Sequence, residues 1–484
     1  MTVMQFLSHL GGTLPNVSSV QYRTARVVLR VTGGQRRRCF GLLRSGGDVW
    51  AALIELNRQR LRRGAAPVAN YQALCREVAG VAVGELSVTA LRSVLRRYAD
   101  AFFETARRKR AGTAARYPRR RRALFPLRWY TGTFVIAGNR VKLSVAKGAP
   151  ELWVRLSRPL PYPTEAVRSV TLLALAGRLC LDVTAAVAVE DHGLDPARVA
   201  GVDLGIIHPF AVAVGEEALV VSGRALRAEE RLHLDDAKAR AKKMGRRAPT
   251  RGQHGSRRWR QLRMAQRRAE ARHRARVRQG QHRAAKEVVA WALHRGVGTL
   301  AVGHPVGICA KGAGRHHNLR LRQWRRTHLL RALTDKAALV GMAVVLLDER
   351  GTSSTCPDCH RRVPSVRGRN FTCPHCGQLG HRDVVGARNI AGRAGGTTTA
   401  PAVVTHRRAG TPPARRDRRR QLYDLRRSGP APGRPGRRPG SRSRGSRPGA
   451  GPPVPGAARA SPALAPGEDR GGRDDVPVTS AKVH

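Results

Sequence analysis

Acidic residues are scarce in this sequence of 484 residues: 32 Asp and Glu stand against 91 Lys and Arg, a formal net charge of +59. A chain so far from neutrality repels itself and needs a polyanion as its partner. Nucleic acid is the first candidate, and its binding should weaken steeply as salt is added. A membrane surface is the rival partner. The abundance of Arg, Ala and Gly is also typical of GC-rich genomes, which offers a second origin for part of the charge.

Long apolar runs are also missing. No stretch is long enough to span a bilayer, and the residues after Met1 do not follow a signal-peptide pattern. Only eight cysteines are present, and four of them are scattered at Cys39, Cys75, Cys180 and Cys309. Scattered cysteines favour a reducing cytoplasm over a disulfide framework. We therefore expect a cytoplasmic protein with no membrane partner.

The other four cysteines form two C-x2-C pairs, Cys356/Cys359 and Cys373/Cys376. Each short spacer lets a pair reach one metal from a tight turn, and the segment between the two pairs is long enough to form a hairpin. This spacing is typical of a structural zinc site with four thiolate ligands, in which metal binding supplies the folding energy of a small segment. Two disulfides, or four unrelated thiols, are the alternative.

A few acidic residues stand out against the basic background because they adjoin apolar runs. Asp203 lies within GVDLGIIHPFAVAV, where a carboxylate is costly unless it is paired or binds a cation. An Asp that caps a turn is the alternative. Asp348 and Glu349 close the run AVVLLDE, and Asp383 begins a short predicted helix after the cysteines.

The rest of the chain predicts mixed strands and helices. Near the N-terminus we expect a strand at residues 25–31, a helix capped by Asp48 and a helix that begins at Thr89, followed by short strands. A long, highly charged and mostly helical segment is predicted at residues 224–295. Its part from Trp259 through Trp291 has few apolar residues and is predicted to lie against something charged rather than inside a core. One further helix is predicted at residues 318–340.

Composition changes at residue 395, beyond which Gly, Pro, Ser and Arg dominate. Such a tail cannot bury enough apolar surface to fold, so it is predicted to be disordered. It either adds non-specific affinity for RNA or is a dispensable extension.

Taken in chain order, these features resemble the TnpB family of transposon-encoded RNA-guided nucleases, relatives of the compact type V CRISPR effectors. The matching features are GVDLG, the basic helical insert, the strand near Val302, DERGTSSTCPDC with CPHCG, and HRDVVGARNIA. The resemblance implies an α/β fold whose RuvC domain, of RNase H type, spans residues 196–394. It places an inserted zinc ribbon at 350–380, a nucleic-acid-binding region of strands and helices at 1–195, and a disordered basic tail at 395–484.

The resemblance also implies RNA-guided cleavage of DNA. In this family a guide RNA pairs with one strand of a double-stranded DNA target, and three carboxylates bind two Mg²⁺ ions that promote phosphodiester hydrolysis. Asp203 matches the first acid and Asp383 the third. The usual second acid is missing, because Gly303 and His304 stand at its place.

Two interpretations of the missing acid follow. Either the chain does not cut, and is an RNA-guided DNA-binding protein of the repressor kind or a decayed transposon accessory protein, or Glu349 supplies the acid from a neighbouring strand. Adjacent residues face opposite sides of a sheet, so only one of Asp348 and Glu349 can point to the metals. Glu349 is preferred because some branches of the family carry an acid there. His304 is a weaker substitute, since an imidazole does little to neutralise two hard cations.

The sequence therefore predicts a catalytic, Mg²⁺-binding set of Asp203, Glu349 and Asp383. It predicts zinc at the four paired cysteines, guide RNA and double-stranded target DNA as partners, and a prokaryotic, nucleoid-associated cytoplasmic location. The oligomeric state does not follow from the sequence.

Overall fold

The computed structural model describes residues 20–119, 122–250, 252–304, 314–363 and 368–408, without the side chains of residues 315–317 and 322. These residues belong to one compact unit that contains a seven-stranded sheet, a six-stranded sheet and a two-stranded hairpin. Cys309 and most of the predicted tail, residues 409–484, lie outside the described residues. No helix within the described ranges has the length and apolar character needed to cross a membrane.

The first sheet is antiparallel throughout. Its strands are β1 (Val20–Arg30), β2 (Leu127–Tyr130), β3 (Phe134–Ala137), β4 (Arg140–Leu143), β5 (Leu152–Leu156), β6 (Val167–Leu175) and β7 (Arg178–Ala188), in the order β2-β6-β7-β1-β5-β4-β3. Helices α1 (Gly33–Arg62), α2 (Tyr71–Glu77) and α3 (Val88–Arg110) precede β2. Aromatic side chains of α1 and α3, Trp50 and Tyr98, share the core of this sheet with Phe125 and Trp129.

Helix α1 begins fifteen residues before the predicted start at Asp48. Thr32 and Gln35 form a capping box, in which each side chain accepts a hydrogen bond from the other's backbone N–H. Helix α1 continues through the glycines in this segment. At Gly47 the helix backbone lies so close to another segment that a Cβ would lie 2.2 Å from the Arg122 carbonyl oxygen, so only glycine fits there. The predicted Asp48 cap was therefore wrong, and α3 is capped by Ser87 rather than Thr89.

The second sheet is mixed. It comprises β8 (Asp195–Asp203), β9 (Phe210–Val214), β10 (Glu217–Ser222), β11 (Val297–His304), β12 (Ala343–Asp348) and β15 (Val403–Arg408), in the order β12-β11-β8-β9-β10-β15. Strands β8, β11 and β12 run parallel to one another, so their carboxyl ends meet at one edge of the sheet. The hairpin is formed by β13 (Asn370–Thr372) and β14 (Leu379–His381).

Five helices accompany this sheet: α4 (Arg224–Gly245), α5 (Arg257–Leu293), α6 (Gly314–Gln323), α7 (Arg326–Ala337) and α8 (Arg382–Arg393). The predicted single helix at 318–340 is two helices, because the chain breaks at Trp324 and Arg325. The C-terminal part of α5 packs in the core through Ala284, Val288 and Trp291. The expectation that the whole charged segment avoids a core was therefore wrong for that part.

Helices α4 and α5 are joined by buried polar contacts rather than by an apolar seam. The His273 ring is 2% exposed, its Nδ1 lies 3.0 Å from Glu229 Oε1, and it stacks on His233 with ring centroids 3.7 Å apart. Arg276 Nη2 lies 2.7 Å from the same Glu229 oxygen. This pairing accounts for the few apolar residues in the two helices, because buried charges are tolerated when they are paired and hydrogen-bonded.

The fold extends beyond the predicted boundary at residue 395. Strand β15 pairs in parallel with β10, from Val403 beside Glu217 to Arg408 beside Ser222. The prediction of disorder was therefore wrong for residues 403–408. The physical reason is that the exposed edge of β10 offers backbone hydrogen bonds, which do not require the strand to carry a large apolar face.

Helix α8 lies directly on β8 because Gly201 has no side chain. A Cβ at this position would meet the Ala387 carbonyl oxygen at 2.0 Å and the Ala391 nitrogen at 2.5 Å, both within α8. The contact fixes the distance between the helix and the strand, and with it the position of residues at the start of α8.

We expect Gly201→Ala to destabilise the chain by about 3 kcal/mol, because the backbone of α8 cannot move away from the added methyl group without losing its packing. Chemical denaturation measures the change. Gly41→Ala in α1 is the matched control, since open space surrounds that position and the helix should gain about 0.5–1 kcal/mol. Equal stabilities for the two variants would contradict this description of the contact.

Candidate active site

The predicted acids lie at the carboxyl edge of the parallel strands. Asp203 ends β8, and the register that pairs Val302 with Val202 places Gly303 of β11 beside it. Glu349 follows the last residue of β12, and Asp383 lies in the first turn of α8. Parallel pairing thus gathers residues that are far apart in the sequence.

Asp203 lies beneath α8. A Cβ on Gly386 of that helix would lie 3.3 Å from Asp203 Oδ2, so the helix backbone covers the carboxylate. Burial, reinforced by the negative charges of Asp383 and Glu349, raises the pKa of Asp203 to about 7. Asp383 and Glu349 therefore lie close enough to Asp203 for their charges to act on it. Their repulsion makes the ionised form of Asp203 costly in the absence of a cation.

Glu349 occupies the space beside Gly303. A Cβ on Gly303 would lie 2.8 Å from Glu349 Oε2 and 3.1 Å from Glu349 Cβ. Oε2 is buried without a hydrogen-bond partner among the described atoms, and burial raises the pKa of Glu349 to about 7 despite the opposing charge of Arg326. Asp348 is exposed and accepts a hydrogen bond from the Arg350 N–H.

Asp383 is surrounded by hydrogen-bond donors. His208 Nδ1 lies 2.7 Å from Asp383 Oδ2, and the Arg369 guanidinium forms an ion pair with Oδ1. The backbone N–H of Asp383 donates to His381 Nδ1 at 3.3 Å, which caps α8. Burial opposes ionisation, but the His208 hydrogen bond and the Arg369 charge outweigh it and hold the pKa of Asp383 below its usual range.

Three residues of this site were not predicted as functional from the sequence: His208, His381 and Arg369. His208 is held by a tight turn in which the Gly205 N–H donates to the His208 carbonyl oxygen at 3.1 Å. Ligand atoms of His208, His381 and Asp383 lie within 4.8 Å of one another. The apolar stretch around Asp203 and the HRD motif contain both histidines, but only the fold brings them together.

His304 does not join this group in the structure. It is half-buried, and its Nδ1 has no hydrogen-bond partner among the described atoms. The structure therefore offers no support for His304 as a substitute ligand.

The donor set fits divalent cations. Burial disfavours the ionised forms of Asp203 and Glu349, and Glu349 has a buried oxygen without a hydrogen-bond partner among the described atoms. The negative charges of Glu349 and Asp383 both act on Asp203. A divalent cation among them would remove the mutual repulsion, and oxygen ligands are those that hard cations prefer. Arg369 supplies part of the missing positive charge by its ion pair with Asp383.

The four paired cysteines form a single cluster. Their sulfur atoms all lie within 4.8 Å of one another, and Cys356 Sγ is 3.6 Å from Cys376 Sγ, as is Cys359 Sγ from Cys373 Sγ. None of the four is in a disulfide. This arrangement fits a zinc ribbon, and the four cysteines do not form the two disulfides of the alternative interpretation.

The ribbon is tied to α8, the helix that carries Asp383. Val385 of α8 packs with Phe371 and two of the cysteines, and the buried Arg388 forms an ion pair with Asp358. Asn389 Nδ2 donates to the carbonyl oxygens of Thr352 and Thr355 at 2.7 and 2.8 Å. Loss of the metal would therefore loosen the element that positions one of the acids.

Two family descriptions match separate parts of the chain. Residues 183–309 match a family described as a probable transposase, OrfB_IS605, and residues 327–390 match the Cas12f1-like TNB domain. Together they cover most of the second sheet, the ribbon and the greater part of α8. The two matches support the assignment of this chain as a TnpB-like relative of the compact type V effectors.

A solved structure agrees with this assignment at the level of the fold. A cryo-EM structure of a Cas12f1–sgRNA–target DNA complex is 13% identical and aligns with a TM-score of 0.57, covering 77% of this chain and 99% of that one. The mini-RNA-guided endonuclease CRISPR-Cas_phi3 is 11% identical, with a TM-score of 0.42 over 82% of this chain and 97% of that one. No curated protein matches the chain. The predicted α/β fold with a cysteine ribbon is confirmed for this TnpB-like chain.

We expect Cys373→Ser to release zinc and to increase amide hydrogen exchange in α8, because the ribbon that holds the helix loses its closing ligand. Elemental analysis gives the metal content, and hydrogen exchange gives the protection of α8. Cys75→Ser, at a half-buried cysteine outside the ribbon, is the control. Full zinc content in the Cys373 variant would contradict the four-thiolate assignment.

We expect the stability of the protein, without added Mg²⁺, to fall as the pH rises from about 4 to about 7. In this window the unfolded Asp203 has lost its proton while the folded one keeps it, because its folded-state pKa is raised to about 7. Asp203→Asn should therefore stabilise the protein at pH 8 by about 2 kcal/mol. Denaturant titrations across this pH range measure the free energy of unfolding of both proteins. Asp100→Asn, at an exposed site, is the control. A decrease in stability at pH 8 would refute the argument.

Proposed function

We propose that this chain is an RNA-guided DNA endonuclease of transposon origin in which Glu349 has taken over the role of the missing second acid. The observation that carries the proposal is the placement of the Glu349 carboxylate in the space that a side chain on Gly303 would enter. The acid that the family supplies from the end of β11 is here supplied from the neighbouring end of β12.

The family assignment supports the nuclease class, since TnpB-like proteins and their compact type V relatives are RNA-guided nucleases. The Cas12f1 structure with the matching fold holds an sgRNA and a target DNA, as its description states. We extend both partners to this chain, as a guide RNA and a double-stranded DNA target. The proposed division follows the sequence, with residues 1–195 for nucleic-acid binding, 196–394 for the nuclease domain and 350–380 for the ribbon, and β15 extends the sheet of the nuclease domain to residue 408.

Asp203, Glu349 and Asp383 would hold Mg²⁺ at the carboxyl edge of the sheet. When bound, the cations supply an activated water and stabilise the leaving oxygen of the phosphodiester. The chain contributes the rest: Gly386 brings α8 over Asp203, His208 orients the Asp383 carboxylate, and Arg369 balances its charge.

An exposed arginine surface on α5 supports the binding of nucleic acid. The exposed arginines of this helix are Arg257, Arg258, Arg260, Arg263, Arg267, Arg268, Arg272, Arg274, Arg278 and Arg283. A surface of this kind binds phosphates without reading the base sequence, which suits a protein whose specificity comes from a guide RNA.

We expect Glu349→Gln to reduce guide-dependent DNA cleavage by at least about 100-fold, because a neutral amide cannot help to neutralise two divalent cations. Binding of guide and target should persist. Single-turnover cleavage of a labelled plasmid measures the first effect, and a filter-binding assay measures the second. Asp348→Asn, at the exposed neighbouring acid, is the matched control and should cut normally.

A rescue variant tests the position of the acid more sharply. Glu349→Ala together with Gly303→Glu returns the carboxylate to β11 and removes the side-chain oxygen that a Cβ on Gly303 would meet, while the Ile390 side chain, whose Cδ1 would lie 2.7 Å from that Cβ, must shift. We expect the double variant to regain part of the cleavage that Glu349→Ala loses. Cleavage that survives Glu349→Gln unchanged would remove this residue from the site.

A nuclease-inactive, RNA-guided DNA-binding protein is the second candidate function. The observations that favour it are Gly303 and His304 at the usual acid position and the Arg369 ion pair on Asp383. It predicts stable binding of guide and target with neither strand cut under Mg²⁺ or Mn²⁺. A chain that co-purifies with no discrete RNA would instead indicate a decayed transposon accessory protein.

A further inference from the structure

A cavity with mostly apolar walls lies between α4, α5, α6 and α7, beside the turn that follows β8. Its volume is about 280 Å³. The turn, the four helices and the junction of α6 with α7 each contribute an apolar side chain: Ile206, Leu226, Val277, Leu319, Leu329 and Trp324. The three acids of the candidate active site are not among the described residues that line this cavity. The cavity is therefore separate from the acids.

The volume of the cavity matches a small organic molecule. It corresponds to about nine water molecules at about 30 Å³ each, which is room for roughly ten heavy atoms. Apolar walls favour an apolar ligand over a group of waters, because waters there find few hydrogen-bond partners. They also disfavour a chain of phosphates, which would lose its hydration without compensation. The walls therefore indicate a ligand whose body is apolar.

Two side chains that line the cavity carry unsatisfied hydrogen-bond donors. Arg227 Nε and Trp324 Nε1 are buried, and neither has a hydrogen-bond partner among the described atoms. A buried donor left unpaired is unfavourable, and an acceptor supplied by a ligand removes the penalty. Because one of the donors is a guanidinium, an anionic acceptor forms the stronger hydrogen bond. The donors therefore indicate a ligand with at least two acceptor oxygens and a negative charge.

The charges around the cavity favour an anion as well. The cations that line it are Arg227, Arg231, Arg320 and Arg325. Glu230 is the one acid among the lining residues that the structure describes, and it already has cationic neighbours: its Oε2 lies 3.2 Å from His273 Nε2 and its Oε1 lies 3.6 Å from Arg325 Nη2. Burial lowers the pKa of Arg227, and the charges of Arg231 and Arg320 lower it further. An anion beside Arg227 would relieve this repulsion.

One wall of the cavity is the turn that carries His208. Ile206 of this turn lines the cavity, and the next residue, Ile207, accepts a hydrogen bond from the Gly223 N–H at 3.0 Å, which ties the turn to the start of α4. His208 Nδ1 lies 2.7 Å from Asp383 Oδ2. A ligand in the cavity therefore contacts the same turn that orients an acid of the candidate active site.

We propose that this cavity binds a small organic carboxylate. The apolar chain or ring of the ligand fills the space between the four helices, and its carboxylate oxygens accept hydrogen bonds from Arg227 and Trp324. The bound ligand restrains α6 and the turn that carries His208. This site goes beyond the proposed function, because it requires neither a guide RNA nor the cleavage of DNA.

The test is a calorimetric titration of the full chain, freed of nucleic acid, with octanoate and with naphthoate. Salt at about 0.3 M screens the exposed arginines, so that anions bound at the surface contribute little. We expect saturation at one molecule per chain. Octanol has the same chain without the charge and should bind about tenfold more weakly, because Arg227 then loses a charged acceptor. Acetate has the charge without the chain and should show no saturable binding.

Two variants locate the binding. Arg227→Met should weaken the binding of octanoate about tenfold and leave that of octanol unchanged. It should not lower the melting temperature, because it removes a cation that its neighbours repel. Leu234→Trp, at another residue that lines the cavity, should fill the space and abolish the binding of both ligands. Arg260→Met is the matched control, because this exposed arginine of α5 does not line the cavity.

Hydrogen exchange measures the restraint. Octanoate should slow the exchange of amides in α6 and at residues 205–209 of the unaltered protein, and should leave exchange in Leu234→Trp unchanged. No saturable binding of either carboxylate would overturn the proposal, as would equal affinities for octanoate and octanol. Binding that persists in a folded Leu234→Trp variant would also overturn it. If that variant melts at a lower temperature, Arg227→Met decides, and an unchanged affinity for octanoate then refutes the site.

Discussion

Burial of the acids at the carboxyl edge of the second sheet is the constraint on which the candidate site depends, and at Asp203 the charges of Asp383 and Glu349 add to it. Asp203 and Glu349 hold their protons up to about pH 7, whereas Asp383 is kept ionised by His208 and Arg369. The scaffold keeps these groups together through close packing: α8 lies on β8 at Gly201, and the ribbon holds α8 through Arg388 and Asn389. Perturbed pKa values of this kind are typical of functional sites.

The acids and the metal-binding cysteines could be predicted because they belong to short, local patterns. Asp203 interrupts an apolar strand, and the two C-x2-C pairs lie within one short segment. The alternation of side chains along a strand allowed only one of Asp348 and Glu349 to point inward, and the family resemblance favoured Glu349. In the structure Asp348 is exposed, whereas Glu349 is half-buried and its Oε2 is buried. Its role in catalysis stays a prediction.

Features that depend on contacts between distant segments could not be predicted. His208 and Arg369 meet at Asp383 from separate parts of the chain, and no local pattern links them. Strand β15 forms because β10 has a free edge, although its own sequence reads as part of a polar tail. Asp48 is a good capping residue, but the box formed by Thr32 and Gln35 starts the helix earlier. The contacts of Asp383 and the formation of β15 depend on partners from distant parts of the chain. The start of α1 depends on a stronger local cap.

The most direct measurement of the central claim is a crystal structure of the protein soaked with Mn²⁺, with the ions located by their anomalous scattering. The account predicts two ions about 4 Å apart, with carboxylate oxygens of Asp203, Glu349 and Asp383 as ligands. Ions bound by Asp203 and Asp383 alone, with the Glu349 carboxylate turned away from them, would contradict it.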